Sequence, residues 1–194
     1  MANCSNKITQ NIVFDCSDIS VAGIANSKAV IINIDDIDRS ATTSSGATIS
    51  NLQLNSGTAG FELSWHKQLG NGSAAFVPDT ENVDGFSNSW VARISTSTAE
   101  AAERANELKN SNGFVLVTET KYKGTGNADA YKCFGFQNGM ILSELTYSTA
   151  ENAGNIIFSL TSAEGANEQY PFMVLNEGTY TANTASFAAL FAEA

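Results

Sequence analysis

Three thiols, one imidazole and an acidic turn are the side chains in this sequence best suited to chemistry. Cys4, Cys16, Cys133 and His66 together carry the donor types of a zinc site. Their spacing forms no metal motif: Cys4 and Cys16 stand too far apart for a CxxC pair, and Cys133 is remote from both. Free, partly buried thiols that pack as small hydrophobes are expected instead. A Cys4–Cys16 disulfide is the alternative, disfavoured by the odd cysteine count and by an N-terminus that does not read as a secretory signal. Asp35, Asp36 and Asp38 offer hard oxygen ligands for calcium, but the loop lacks the Gly and closing Glu of a calcium-binding hand. They read as an acidic turn at a strand end.

Other chemistries find less to work with. His66 follows Trp65, and no Gly-x-Ser-x-Gly elbow supplies it with a nucleophile. The fragments Gly70-Asn71-Gly72 and Gly124-Thr125-Gly126 lack the further glycine and helix start of a phosphate cradle. Paired carboxylates for glycoside hydrolysis are set in space, so with 20 acids in the chain their presence decides nothing. Trp65, Trp90 and Tyr131 could stack sugars, although in a β-rich chain such rings more often fill the core. No catalytic constellation emerges, and no enzyme, cofactor or metal is expected.

Composition narrows the classes further. The 194 residues suit one domain. They are 43% hydrophobic, too apolar for disorder, and only 15% charged, against about 25% in an ordinary soluble domain. Twenty acids against 10 bases give a formal charge of −10. A chain this acidic does not wrap nucleic acid by counterion release. No apolar run approaches the roughly 18 residues of a transmembrane helix. The chain is therefore expected to be made in a cytoplasm, and no membrane partner is expected.

Strand signals dominate the elements that must position these groups. They include Ile8–Phe14, Ala29–Ile34, Ala47–Leu54, and Phe61–Trp65 with Phe61, Leu63 and Trp65 inward. Trp90–Ile94, Phe114–Tyr122, Ala130–Phe136, Met140–Tyr147, Ile156–Thr161 and Tyr170–Leu175 follow. The Gly- and Asn-rich stretch 70–85 reads as a long loop. Asn138-Gly139 suits a tight hairpin between the strands on either side. Ser97-Thr98-Ala99-Glu100 fits a capping box opening a helix to Lys109, with Asn112-Gly113 as a left-handed cap. Phe187, Leu190 and Phe191 share one face of a short C-terminal helix over 184–194, which either packs on its own sheet or docks on another chain. The sum is a mainly β single domain, 1–194. It is an antiparallel sandwich or barrel with an N-terminal arm, one internal helix and a short C-terminal one.

The segment Tyr131-Lys132-Cys133-Phe134-Gly135-Phe136-Gln137-Asn138-Gly139-Met140-Ile141-Leu142, then Asn155 to Thr161, then Tyr170-Pro171-Phe172, resembles the phage major tail tube proteins. The helix ahead of these strands fits the same pattern. This resemblance implies a β-sandwich subunit in hexameric rings that stack into a tube, found in the virion tail. Other tail proteins would be its partners and DNA its transported cargo. It implies no catalytic residue. A conduit should repel what it carries. From Gly124 onward seven acids face Lys132 alone, a local charge of −6. Asp129, Lys132 and Glu144 on the Ala130–Tyr147 segment are then candidates to face the lumen. Phe187, Leu190 and Phe191 are candidates for contact between subunits, as is the N-terminal arm. Two other readings stay open. One is a different virion component, such as a capsid decoration or tail-completion protein. The other is a carbohydrate-binding or adhesive sandwich built around Trp65, Trp90 and the Asn-rich loops.

Overall fold

The computed structural model describes residues 8, 11–12, 19–65, 69–78 and 84–191. The elements run β1 (Ile24–Asn33), β2 (Thr43–Ser45), β3 (Thr48–Asn51), β4 (Phe61–Ser64), β5 (Asn71–Val77), β6 (Gly85–Ile94), α1 (Ala99–Asn110), β7 (Phe114–Thr120), β8 (Tyr131–Phe134), β9 (Met140–Tyr147), β10 (Ile156–Ser162), β11 (Met173–Leu175) and α2 (Tyr180–Ala189). The fold is mainly β, as the alternating patterns require. All pairings are antiparallel except β11 with β3.

The organising element is β7. Its Phe-Val-Leu-Val-Thr-Glu run is buried throughout, as a strand covered on both faces should be. Val115 and Val117 face one core with Val30, Ile32, Tyr131, Leu175, Phe187 and Leu190. Phe114 and Leu116 face the other, with Trp65, Trp90, Phe134, Phe158 and Leu160. In the ladder, β7 pairs with β1 along one edge and with β8 along the other, and touches β9 only at Phe114–Met140. That contact is the corner where the first sheet, β4-β1-β7-β8-β11-β3-β2, meets the second, β9-β10-β6-β5. The second core fills the space between the sheets, and α2 covers the outer face of the first.

Several expectations change in this framework. The strands flanking Asn138-Gly139 form no hairpin. Gly135 and Gly139, at φ of 72° and 79°, turn the chain around the corner instead, closed by the Gly139 N–H donating to the Gly135 carbonyl at 2.9 Å. The true hairpin is β9–β10. The stretch 70–85 holds a strand: β5 pairs with β6 over all seven residues. Its Gly72 is needed because a Cβ there would sit 2.7 Å from the Trp90 ring and 2.9 Å from Phe134. Leu63 and Trp65 turn inward, but Phe61 is 58% exposed, since β4 lies at the sheet edge. Ile8, Asn11 and Ile12 are in no strand, and the rest of that expected segment lies outside the described residues.

Both helices shift from their expected ends. The cap of α1 is Thr98, whose hydroxyl accepts from Ala101 N–H at 3.2 Å, while Ser97 donates to the Gly154 carbonyl. The helix exits through an extended Ser111 and not through a left-handed Asn112-Gly113 pair. Helix α2 begins at Tyr180, earlier than its apolar triplet suggests, because Thr179 caps it by accepting from Ala182 N–H.

Candidate functional site

The residues singled out in the sequence do not converge. The three aspartates each hold a different piece of loop. Asp35 accepts from the Asn112 amide at 2.7 Å and Asp36 from the Asn33 amide at 2.9 Å. Asp38 accepts from the Ser40 hydroxyl and from the Ser40 and Ala41 N–H groups, which hold its carboxyl below the usual range. Among the described residues no cluster of His, Cys, Asp and Glu is placed to hold a metal. Cys133 is buried and free, and burial pushes its thiol far above the ordinary value. Cys4, Cys16 and His66 lie outside the described residues.

Asp129 and Lys132 sit together at the start of β8, where burial lowers the Lys132 ammonium pKa and Asp129 opposes the shift. The ammonium lies 4.8 Å from the Phe172 ring centre. Glu144 is exposed on β9, in the other sheet, opposite Ser159. The three candidate lumen residues therefore do not share one strand face. Phe187 and Leu190 are 6% and 3% exposed in the chain's own core, and Phe191 packs edge-on against Phe187 at 5.1 Å. In this fold they have little surface left to offer a neighbour. Tyr131 is buried in that same core, 4.9 Å from Phe187.

Two buried carboxylates escaped notice in the sequence. Glu119 accepts from Tyr180 Oη at 2.6 Å, from Lys123 Nζ and from the Asn26 amide, while Lys123 also donates to Tyr180 Oη at 3.0 Å. These hydrogen bonds hold the Lys123 ammonium above its ordinary pKa. The cluster pins α2 to β7, and its polar atoms are engaged with one another. The signal was Glu119 itself, a lone acid in an apolar strand with a lysine four residues on; Tyr180 gave none. Glu168, 3% exposed, accepts from Gln137 and Asn138 N–H at 2.9 Å each and so fixes the corner. Burial raises its carboxyl pKa, against those two bonds and Arg39.

Three surface features remain unoccupied by such bonding. The first is a cavity of about 320 Å³ between the sheets, with Trp65 and Trp90 in its wall. Their rings meet edge to face at 5.7 Å. The second is a groove of about 910 Å³ between β4 and α1, lined by Ile31, Phe61, Leu63, Arg93, Ile94 and Leu108.

The third is the second sheet itself. Its inward residues Trp90, Ala92, Phe158 and Leu160 alternate with Ser89, Val91, Arg93, Ile157, Ser159 and Thr161 on the outer face. Short hydroxyl pairs, Ser73–Ser89 at 2.8 Å and Ser143–Thr161 at 3.0 Å, tie neighbouring strands there. One edge strand, β5, pairs only with β6; the other, β9, pairs with β10 and, at Met140 alone, with β7. No described helix is long and apolar enough to cross a membrane.

No family model, curated protein or solved structure matches this chain.

Proposed function

We propose that this chain is a self-assembling structural subunit of a virion, the major tail tube protein of a phage, whose hexameric rings stack into a conduit for the genome. The observation that carries the reading is the second sheet. It is four strands wide, and neither edge is blunted by the proline or lysine that usually discourages pairing. Its outer face is mostly Ser, Thr, Val and Ile, with Arg93 and Glu144 as charges. A sheet open at both edges can join head to tail with copies of itself, and such a contact closes into a ring when the rotation per subunit allows. The remainder of the chain, with its own buried cores, is a scaffold that holds this sheet.

Two further features support assembly. Ile8, Ile12, Ile19 and Val21 are 80%, 89%, 61% and 56% exposed, an apolar arm with nothing of its own to cover it. The groove beside β4 is apolar and contains Arg93, which has no ion-pair partner among the described residues, while the arm's sequence carries Asp15 and Asp18. An arm from a neighbouring copy suits this groove in both polarity and charge. The charge of −10 fits a passage that does not bind DNA.

Negative-stain microscopy of the purified chain tests this directly. Rings or tubes of uniform diameter are expected. Lysine at Ala74 and Ala75, both exposed on β5, should abolish them while leaving the monomer folded by circular dichroism. A wild-type chain that stays monomeric at millimolar concentration refutes the proposal. Closed trimers that never stack would point to a decoration protein instead.

A further inference from the structure

We infer that the cavity between Trp65 and Trp90 is a binding site for a small neutral polyhydroxylated molecule, of about the size of a monosaccharide. This inference stands on the cavity alone and does not depend on the ring-forming reading. Trp65 is 7% exposed and Trp90 fully buried, yet neither indole N–H has a hydrogen-bond partner among the described residues. Buried polar groups are almost always paired, so two orphan donors in one cavity wall ask for an acceptor from outside the chain. The volume of about 320 Å³ lies at the lower end for small-molecule sites. Exposed Gly23 and Asn71 line it, so the cavity opens to solvent on their side.

The lining selects the chemical class. No Asp, Glu, Lys or Arg is among the described residues around the cavity, so an ion would enter without a counter-charge. A purely apolar guest would leave both indole donors unpaired. An indole N–H only donates, so the guest must bring acceptor oxygens. Thr118 and Thr120 spend their hydroxyl protons on the carbonyls of Lys28 and of Tyr122 and Ala130, and so keep acceptor lone pairs for a guest hydroxyl. The rings of Trp65, Trp90 and Phe134 give an apolar wall suited to the C–H face of a sugar. Acceptors, donors and an apolar face on one uncharged molecule describe a sugar or polyol.

The chain has only two tryptophans, so its two indole N–H resonances report the site directly. Titrating the ¹⁵N-labelled full chain with D-galactose, N-acetyl-D-glucosamine or glycerol should move both resonances saturably for at least one probe. Trp90→Phe keeps a ring but removes one donor, and should weaken that probe roughly tenfold. Trp65→Phe gives the same reading if the first variant does not fold. No movement of either resonance with any of the three probes overturns the inference and leaves water as the partner of the indoles. So does a larger movement with sodium acetate than with every sugar, which would make the site one for anions.

Discussion

Replacing Glu168 with alanine should destabilise the corner that joins the two sheets, and the size of the effect follows from the contacts. The carboxylate accepts two backbone N–H bonds at 2.9 Å, from Gln137 and Asn138. Bonds to a charged acceptor contribute about 1.5–3 kcal/mol each. Two terms offset this sum. Gln137 and Asn138 are exposed, so water can reach the released N–H groups. The variant also avoids desolvating an ion, the largest cause of the raised Glu168 pKa. A net loss of about 2 kcal/mol is expected, near one charged hydrogen bond. Because the folded pKa is raised, the stabilising contribution is fully present below the ordinary value of 4.5 and declines as pH climbs through the folded value. The penalty for Glu168→Ala should therefore be largest near pH 4.5 and shrink toward pH 8. Urea unfolding at a series of pH values measures it, with the midpoint shift read at constant slope. A penalty that grows with pH would refute the reasoning, because the two N–H bonds would then outweigh burial.

Four other outcomes follow from particular contacts. Thr98→Ala should cost about 1 kcal/mol in urea unfolding as a lost helix cap, whereas Ser97→Ala leaves that cap intact. Phe187→Ala should cost about 3–5 kcal/mol in chemical denaturation of the monomer, because the ring is buried between Tyr131 and Phe191. Gly72→Ala should lower stability by about 1–3 kcal/mol, since its Cβ has no room against Trp90 and Phe134; unchanged thermal unfolding would contradict that packing. Glu119→Gln strips Lys123 of its anion and should cost about 3 kcal/mol, the low end for a broken buried pair. Lys123 adds stability that is full below the ordinary 10.5 and lost as pH rises through its raised folded value, so wild type should lose more stability than Glu119→Gln in alkaline titrations.

Particular residues show how far the sequence was legible. The run Phe114–Thr120 announced a buried strand, and the structure makes it the strand shared by both cores. The stretch 70–85 misled because Gly and Asn are the ordinary composition of loops. Its strand exists because Gly72 lets the backbone lie directly on the Trp90 ring, a tertiary need that local propensity does not carry. Asn138-Gly139 misled in the opposite sense: its glycine does take a positive φ, but at a corner between sheets and not in a hairpin. Trp65 and Trp90 were visible as large rings. That their N–H groups would be left without partners beside one cavity was not, since their positions 25 residues apart say nothing of a shared wall.

By itself the sequence determined the class. Alternating apolar residues, β-branched runs and turn chemistry dictate antiparallel strands, because each of these acts over a few neighbouring residues. The formal charge of −10 is likewise fixed by composition alone. Only the tertiary structure decided which residues meet. It drew Glu119, Lys123 and Tyr180 into one buried network, sent Phe187 and Leu190 into the chain's own core, and left the second sheet open at its edges. The reason is physical. Burial and strand pairing depend on contacts between residues distant in the chain, and the period of a strand says which side chains share a face but not what that face will touch.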